Sequence, residues 1–202
     1  MITFEESGLK FVFDDDNCYR VENDPLVING KGNSSSNNMA CECISVIDEK
    51  HCFIEVKKSA PQSPGGNVKD LILNGKPMPK NWVAYDNYKA YLRDISKKFI
   101  DSFYILCALT EKRHGKERFD SLNLPNKSIN LDKIRFILII NLRLPPNKNV
   151  DKQALSNLQD ALKNEMRPFL NIWRIADTAI KVVLPNDAKH ILNIPITQIL
   201  YS

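Results

Sequence analysis

The sequence predicts an α/β (α+β) domain built on a mixed β-sheet flanked by helices. Three observations carry that expectation. Residues 135–144 form a near-continuous apolar run closed by Pro145-Pro146, as expected of a central strand covered on both faces. Residues 85–113 and 151–172 repeat apolar side chains at spacings of three and four, the signature of helices that bury one face. Short β-branched segments with turn-forming residues between them precede and follow those helices, an order typical of mixed α and β layers.

Taken along the chain, residues 10–22 read as a β-hairpin. Lys10 to Phe13 is one strand, Asp14-Asp15-Asp16-Asn17 supplies turn chemistry, and Cys18 to Glu22 is the return strand. Residues 29–38, rich in Asn, Gly and Ser, read as a surface loop. Residues 41–48 and 52–57 read as a second hairpin around a polar turn at 48–51. Residues 59–79, with four prolines and three glycines, read as an irregular crossover, and Gly65-Gly66 as a loop able to close over a neighbouring site. The long helix at 85–113 ends with Lys112-Arg113-His114, cations suited to a helix terminus, and Gly115 is the expected C-cap. In the second helix Asp151 is the expected N-cap, and Pro168 is expected to bend or end it. Residues 180–184 make a last strand stopped by Pro185.

The bulk properties bound the function without choosing it. A chain of 202 residues fits a single domain spanning 1–202. A net charge of +4 permits a nucleic-acid partner and does not require one. The N-terminus has no basic segment followed by an apolar run, and the longest apolar stretch is far too short to span a bilayer. The expectation is a cytoplasmic protein with no membrane partner. The five cysteines contain no CxxC pair, and the three histidines do not complete a zinc pattern, so the thiols are expected to be reduced and mostly buried. No GxSxG, Walker A, HExxH or GxGxxG motif occurs in its proper context.

The residues with chemistry lie in the second hairpin. Along Phe53-Ile54-Glu55-Val56-Lys57 side chains alternate, so Phe53, Glu55 and Lys57 share one face. A Glu and a Lys inside an otherwise apolar strand are costly to bury unless they pair with each other or hold a metal ion. With a turn at 48–51, residue 42 falls near 57 and residue 44 near 55, which brings Glu42 beside Glu55 and Lys57. Two adjacent carboxylates repel at neutral pH, and a divalent cation resolves that conflict. Mg²⁺, or Mn²⁺ in its place, takes one or two carboxylates together with water and phosphate. Glu42 and Glu55 are therefore the expected metal ligands, with Lys57 orienting the attacking water or stabilising developing negative charge. The bland alternative is an edge strand whose Glu55 and Lys57 pair in solvent. Two other acid-x-Lys triplets, at residues 48–50 and 187–189, lie in polar, turn-like surroundings.

An acid (Glu42), twelve intervening residues and then Glu55-Val56-Lys57 on a hairpin, followed by a long helix and one more strand, resembles the PD-(D/E)XK nuclease superfamily. The phrasing around Phe4-Glu5-Glu6-Ser7-Gly8-Leu9-Lys10-Phe11, Tyr19-Arg20-Val21-Glu22 and Phe53 to Ser59 resembles an uncharacterised bacterial group within it. That resemblance implies a restriction endonuclease-like fold and a Mg²⁺-dependent endonuclease that hydrolyses phosphodiester bonds of nucleic acid, DNA ahead of RNA. It also implies a third acid from the N-terminal region, with Glu22 the candidate and Glu6 the runner-up. Where the family's first acid is usually Asp after Pro, this chain has Glu42 after Cys41. The family's habits further imply a homodimer, or a partner protein of a defence or mobile-element system. The rival expectation is a catalytically degenerate relative that binds nucleic acid or a partner protein. The aromatic residues of the long helix and its basic end are as well explained by core packing and a solvated helix end as by contact with nucleic acid.

Overall fold

The structure, a computed structural model, describes residues 1–14, 16–28, 39–60, 82–142 and 152–199. Asp151, Gly65-Gly66, the Asn- and Ser-rich loop, most of the Pro-rich crossover and Pro145-Pro146 lie outside the described residues.

The described residues form a mixed α+β fold with two sheets. The strands are β1 (Ile2–Glu6), β2 (Leu9–Phe13), β3 (Cys43–Ile47), β4 (Lys50–Lys57), β5 (Ile134–Ile140), β6 (Ile180–Val183) and β7 (Ile196–Gln198). The helices are the single turn α1 (Pro25–Ile28), the long α2 (Trp82–Thr110), the short α3 (Lys116–Asp120), α4 (Lys152–Trp173) and α5 (Pro185–Leu192). The larger sheet has order β3-β4-β5-β6, with β3 antiparallel to β4 and the other pairs parallel. The smaller sheet, β1-β2-β7, is antiparallel throughout.

Strand parity sorts the larger sheet into two faces. Phe53, Phe136, Leu138, Ile140 and Val182 pack against Leu92, Ile95, Phe99, Phe103 and Leu106 of α2 and against Leu162, Met166 and Phe169 of α4. Ile54, Val56, Ile137 and Ile139 pack against Phe4, Phe11 and Phe13 of the smaller sheet and against Ala188 and Leu192 of α5. The molecule is thus three layers, helices on sheet on sheet, and both faces of β5 are buried as its apolar run requires. No helix among the described residues is long and apolar enough to cross a membrane.

The first expected hairpin is displaced. Lys10 to Phe13 belongs to β2, but its partner is the preceding β1, through a Ser7-Gly8 turn with both residues at positive φ. Residues 18–22 do not return alongside it. Tyr19 makes an isolated bridge with Ile44, and Asn17 accepts from the Val46 amide and the Ser45 hydroxyl. That segment caps the free edge of β3, satisfying backbone groups that would otherwise invite another strand. Residues 21–23 then form a 3-10 turn.

The second hairpin forms with a tighter turn than expected. Asp48 and Glu49 alone make it, at φ 47° and 62°, the two positive values of a type I′ turn. The register is Cys43 with Ile54 and Ile47 with Lys50, two residues from the expected one. An even displacement preserves parity, so the faces stay as read.

Helix α2 ends at Thr110, not against Gly115. Lys112 takes the left-handed position, and its amide and that of Arg113 bond back to Leu109 and Ala108, a Schellman closure made without glycine. Gly115, at φ 90°, instead opens α3. Pro168 does not end α4, which runs on to Trp173. Pro168 is exposed, on the side of the helix away from the core, while Phe169 and Leu170 stay seated in the core.

Candidate metal and catalytic site

Four charged side chains converge on the helix-facing side of the larger sheet, near the C-terminal end of β4. Glu55 follows from strand parity and is fully buried. Continuing the β3–β4 register by one step sets Glu42 opposite Glu55 rather than opposite Lys57. Glu42 sits in the bend just before β3. It is held there because the Cys41 amide donates to the Ser102 hydroxyl at 2.9 Å and the Met39 amide to Asp101 at 3.0 Å, both on α2.

Two lysines answer the two acids. Lys57 Nζ lies 2.5 Å from Glu55 Oε1. Lys98 Nζ, reaching down from α2, lies 2.7 Å from the same oxygen and 3.8 Å from Glu42 Oε1. Lys57 also lines an open cleft of about 510 Å³ with Ser7, Lys58 and Tyr91. It is therefore the most exposed member of the cluster, while the carboxylates lie behind it.

Electrostatics mark the cluster as strained. Burial, then the neighbouring Glu55 carboxylate, push the Glu42 carboxyl up to about 7; Lys98 pulls it down, Glu6 pushes it up and Lys57 pulls it down. Burial disfavours the ammonium form of Lys98, but Glu55 and Glu42 outweigh that and hold its pKa above the usual lysine range. Burial and the nearby Glu55 raise the Tyr91 phenol. Glu55 Oε2 and the Tyr91 hydroxyl are both buried with no hydrogen-bond partner among the described residues. An orphaned polar atom of this kind costs roughly 1–3 kcal/mol, more when charged, and marks a position that a ligand, ion or water can satisfy.

The β1–β2 turn closes the end of the site. Asn141, just after β5, donates from its backbone to the Lys57 carbonyl at 2.7 Å and from its side chain to the Ser7 carbonyl at 2.8 Å. The Ser7 hydroxyl is 2.8 Å from Glu6 and 3.3 Å from the Val56 carbonyl. This pins the turn to the ends of β4 and β5 and brings Glu6 within electrostatic reach of Glu42.

Glu42, Glu55 and Lys57 thus come together. Glu22 is placed in the 3-10 turn, ion-paired to Arg20 and about one-third exposed, and Glu6 rather than Glu22 figures among the charges acting on Glu42. Lys98, Tyr91 and Asn141 are the residues the sequence reading missed. Lys98 carried a readable signal: it shares a helical stripe with Tyr91, Ile95, Phe99 and Ser102, and a cation inside a buried stripe needs a partner.

Among the described residues no three His, Cys, Asp or Glu side chains form a group able to hold a metal ion. The donor set on offer is the carboxylate pair Glu42 and Glu55. Hard oxygen donors, one buried carboxylate oxygen without a partner and a carboxyl pushed towards neutrality fit a Mg²⁺-type ion, which needs only one or two protein carboxylates. The thiols do not compete. All five cysteines are free, and burial pushes Cys41 and Cys52 up to about 12, leaving them unreactive.

No protein-family model, curated protein or solved structure matches the chain.

Proposed function

We propose that the chain is a metal-dependent nuclease of restriction endonuclease-like fold, hydrolysing phosphodiester bonds in nucleic acid, DNA ahead of RNA. The observation that carries this reading is the buried Glu42–Glu55 pair, with the unpartnered Glu55 Oε2, lying beside Lys57 at the rim of a cleft. The order of elements lends support: an antiparallel hairpin bearing the acids, a long helix, then a strand parallel to the one with Glu55-Val56-Lys57.

Glu42 and Glu55 would hold a Mg²⁺ or Mn²⁺ ion, which when bound polarises the scissile phosphate and lowers the pKa of a coordinated water. Lys57, part-exposed at the cleft, would meet a phosphate oxygen and stabilise the charge that grows on it. Lys98, anchored on a rigid helix, orients the Glu55 carboxylate from behind. Apolar walls above and below exclude water and strengthen these interactions.

One observation favours a second reading. Lys57 and Lys98 both pair with Glu55 Oε1, so two cations already balance the two carboxylates of the cluster. A catalytically degenerate module would keep those ion pairs for structural reasons. Incubation of the purified protein with supercoiled plasmid and single-stranded oligonucleotides, with Mg²⁺ or Mn²⁺, separates the two. Metal-supported cleavage that Lys57→Ala and Glu55→Gln each reduce about 10²- to 10⁴-fold is expected. Cleavage that survives both substitutions, or no cleavage at all, contradicts the nuclease reading.

A further inference from the structure

A second groove lies elsewhere, at the opposite end of α2. It has a volume of about 770 Å³ and is bounded by the ends of α2 and α4 and by residues 127–131. Its floor presents Tyr104, 47% exposed, next to the part-buried Trp173, their ring centroids 6.2 Å apart. Its rim carries Lys112, Arg113 and Lys127 against one acid, Glu111. Cys107 in the groove wall lies nine helical steps beyond Lys98, about 14 Å at the rise of an α-helix. The groove is thus a place distinct from the carboxylate cluster.

Helix termination accounts for cations at this end of α2 but not for this arrangement. Lys112 and Lys127 both sit over the Phe119 ring, at 4.8 and 5.1 Å, and Lys127 also donates to the Phe119 and Asp120 carbonyls. The Arg113 side chain is exposed and makes no hydrogen bond or ion pair among the described residues; its backbone amide alone is engaged, by the Ala108 carbonyl. A second, smaller cleft shares Tyr104 and Ala108 with the groove, so open space continues on both sides of the Tyr104 ring.

We infer that this groove binds a short stretch of single-stranded nucleic acid, a base lying against Tyr104 and Trp173 and its phosphates against Arg113 and Lys112. Accessible aromatic faces flanked by unmatched positive charge are the two elements such binding needs, and they are sequence-tolerant because every base has a π-face. The inference rests on the nucleic-acid reading of the carboxylate cluster for its biological sense, but its physical argument does not use that cluster.

The test uses the full chain and a 12-nucleotide oligo-dT labelled with fluorescein, without added metal. Anisotropy reports binding. Quenching of Trp173 emission in a Trp82→Phe background, which leaves Trp173 the sole tryptophan, reports where it binds. Tyr104→Ala should weaken binding about 5- to 150-fold. Arg113→Ala, a change at an exposed position that leaves the fold alone, should lower the slope of log affinity against log salt by about 1. A duplex of the same length should compete poorly. Glu55→Gln should bind the oligonucleotide like wild type while losing metal-supported cleavage. The inference is overturned by failure of the wild type to bind, by unquenched Trp173, or by wild-type affinity in both Tyr104→Ala and Arg113→Ala. If wild type and both groove variants cut substrate alike while binding is unchanged, the groove inference fails and the nuclease reading stands. Oligonucleotide bound in the groove with no cleavage under any metal gives the reverse.

Discussion

Replacing Glu42 with glutamine should remove a pH dependence of stability that the wild-type chain carries below neutrality. The Glu42 carboxyl is raised from an ordinary value of 4.5 to about 7 in the fold, by burial first and by Glu55 second. Between those values the folded chain holds a proton that the unfolded chain has lost. Stability from this group is therefore fully present below pH 4.5, falls as pH rises, and is gone above about 7. The interval corresponds to about 3 kcal/mol, and at 5% side-chain exposure water screens little of it. Glutamine keeps the shape and cannot ionise. The difference in unfolding free energy between the two proteins, from urea titrations at pH 5 and pH 8 in chelator, isolates Glu42 from other titrating groups such as His51, which burial makes reluctant to protonate. Part of that interval lies below pH 5, so relative to wild type the variant should gain about 2 to 3 kcal/mol on going from pH 5 to pH 8. A difference constant to within about 0.5 kcal/mol would refute the reasoning, because it would mean that Glu42 ionises at no cost beside Glu55.

Three further outcomes follow from the same geometry. Lys98→Met leaves Glu55 buried with Lys57 alone, and urea unfolding at pH 8 should show a loss of about 3–5 kcal/mol; a loss below about 1 would mean the pair is not buried in solution. Phe136→Ala opens a cavity where the Phe53, Phe99 and Phe169 rings meet, at centroid distances of 5.2, 5.4 and 5.9 Å. It should cost about 3–5 kcal/mol in the same assay, and a cost under about 1 would contradict that packing. Glu49→Gly relieves a side chain held at φ 62° in a two-residue turn, so calorimetry should record a melting temperature higher by about 2 °C, and a lower one would contradict the type I′ assignment.

The larger sheet was legible because its strands obey simple periodicities. The apolar run of β5 and the alternation in β4 each follow from which faces are buried. The error in the β3–β4 turn did no harm to the face assignment, since it moved the register by two residues. It did change the pairing, setting Glu42 opposite Glu55 instead of Lys57. The smaller sheet was less legible for physical reasons. Ile2–Glu6 carries Glu5 and Glu6, and Ile196–Gln198 is three residues long, so neither presents a run that distinguishes strand from loop. Both strands depend on partners distant in sequence. Among the site residues, Lys98 was hidden by its neighbour. Lys97-Lys98 reads equally as a phosphate contact or a solvated pair, yet the helix turns the two about 100° apart, so Lys97 pairs with Asp101 at the surface while Lys98 faces the sheet. Glu22 was read as lying on a strand; the 3-10 turn that sends it towards Arg20 has no local signature.

Titration of the metal-free protein with Mn²⁺, followed by electron paramagnetic resonance of the free ion at pH 8, tests the central claim most directly. Wild type should take up Mn²⁺ with one saturable site, and Glu42→Gln and Glu55→Gln should each weaken that uptake at least tenfold, in line with loss of one of two carboxylate ligands. Uptake by the variants equal to that of wild type, or no saturable uptake by wild type, would contradict the assignment of Glu42 and Glu55 as a metal site.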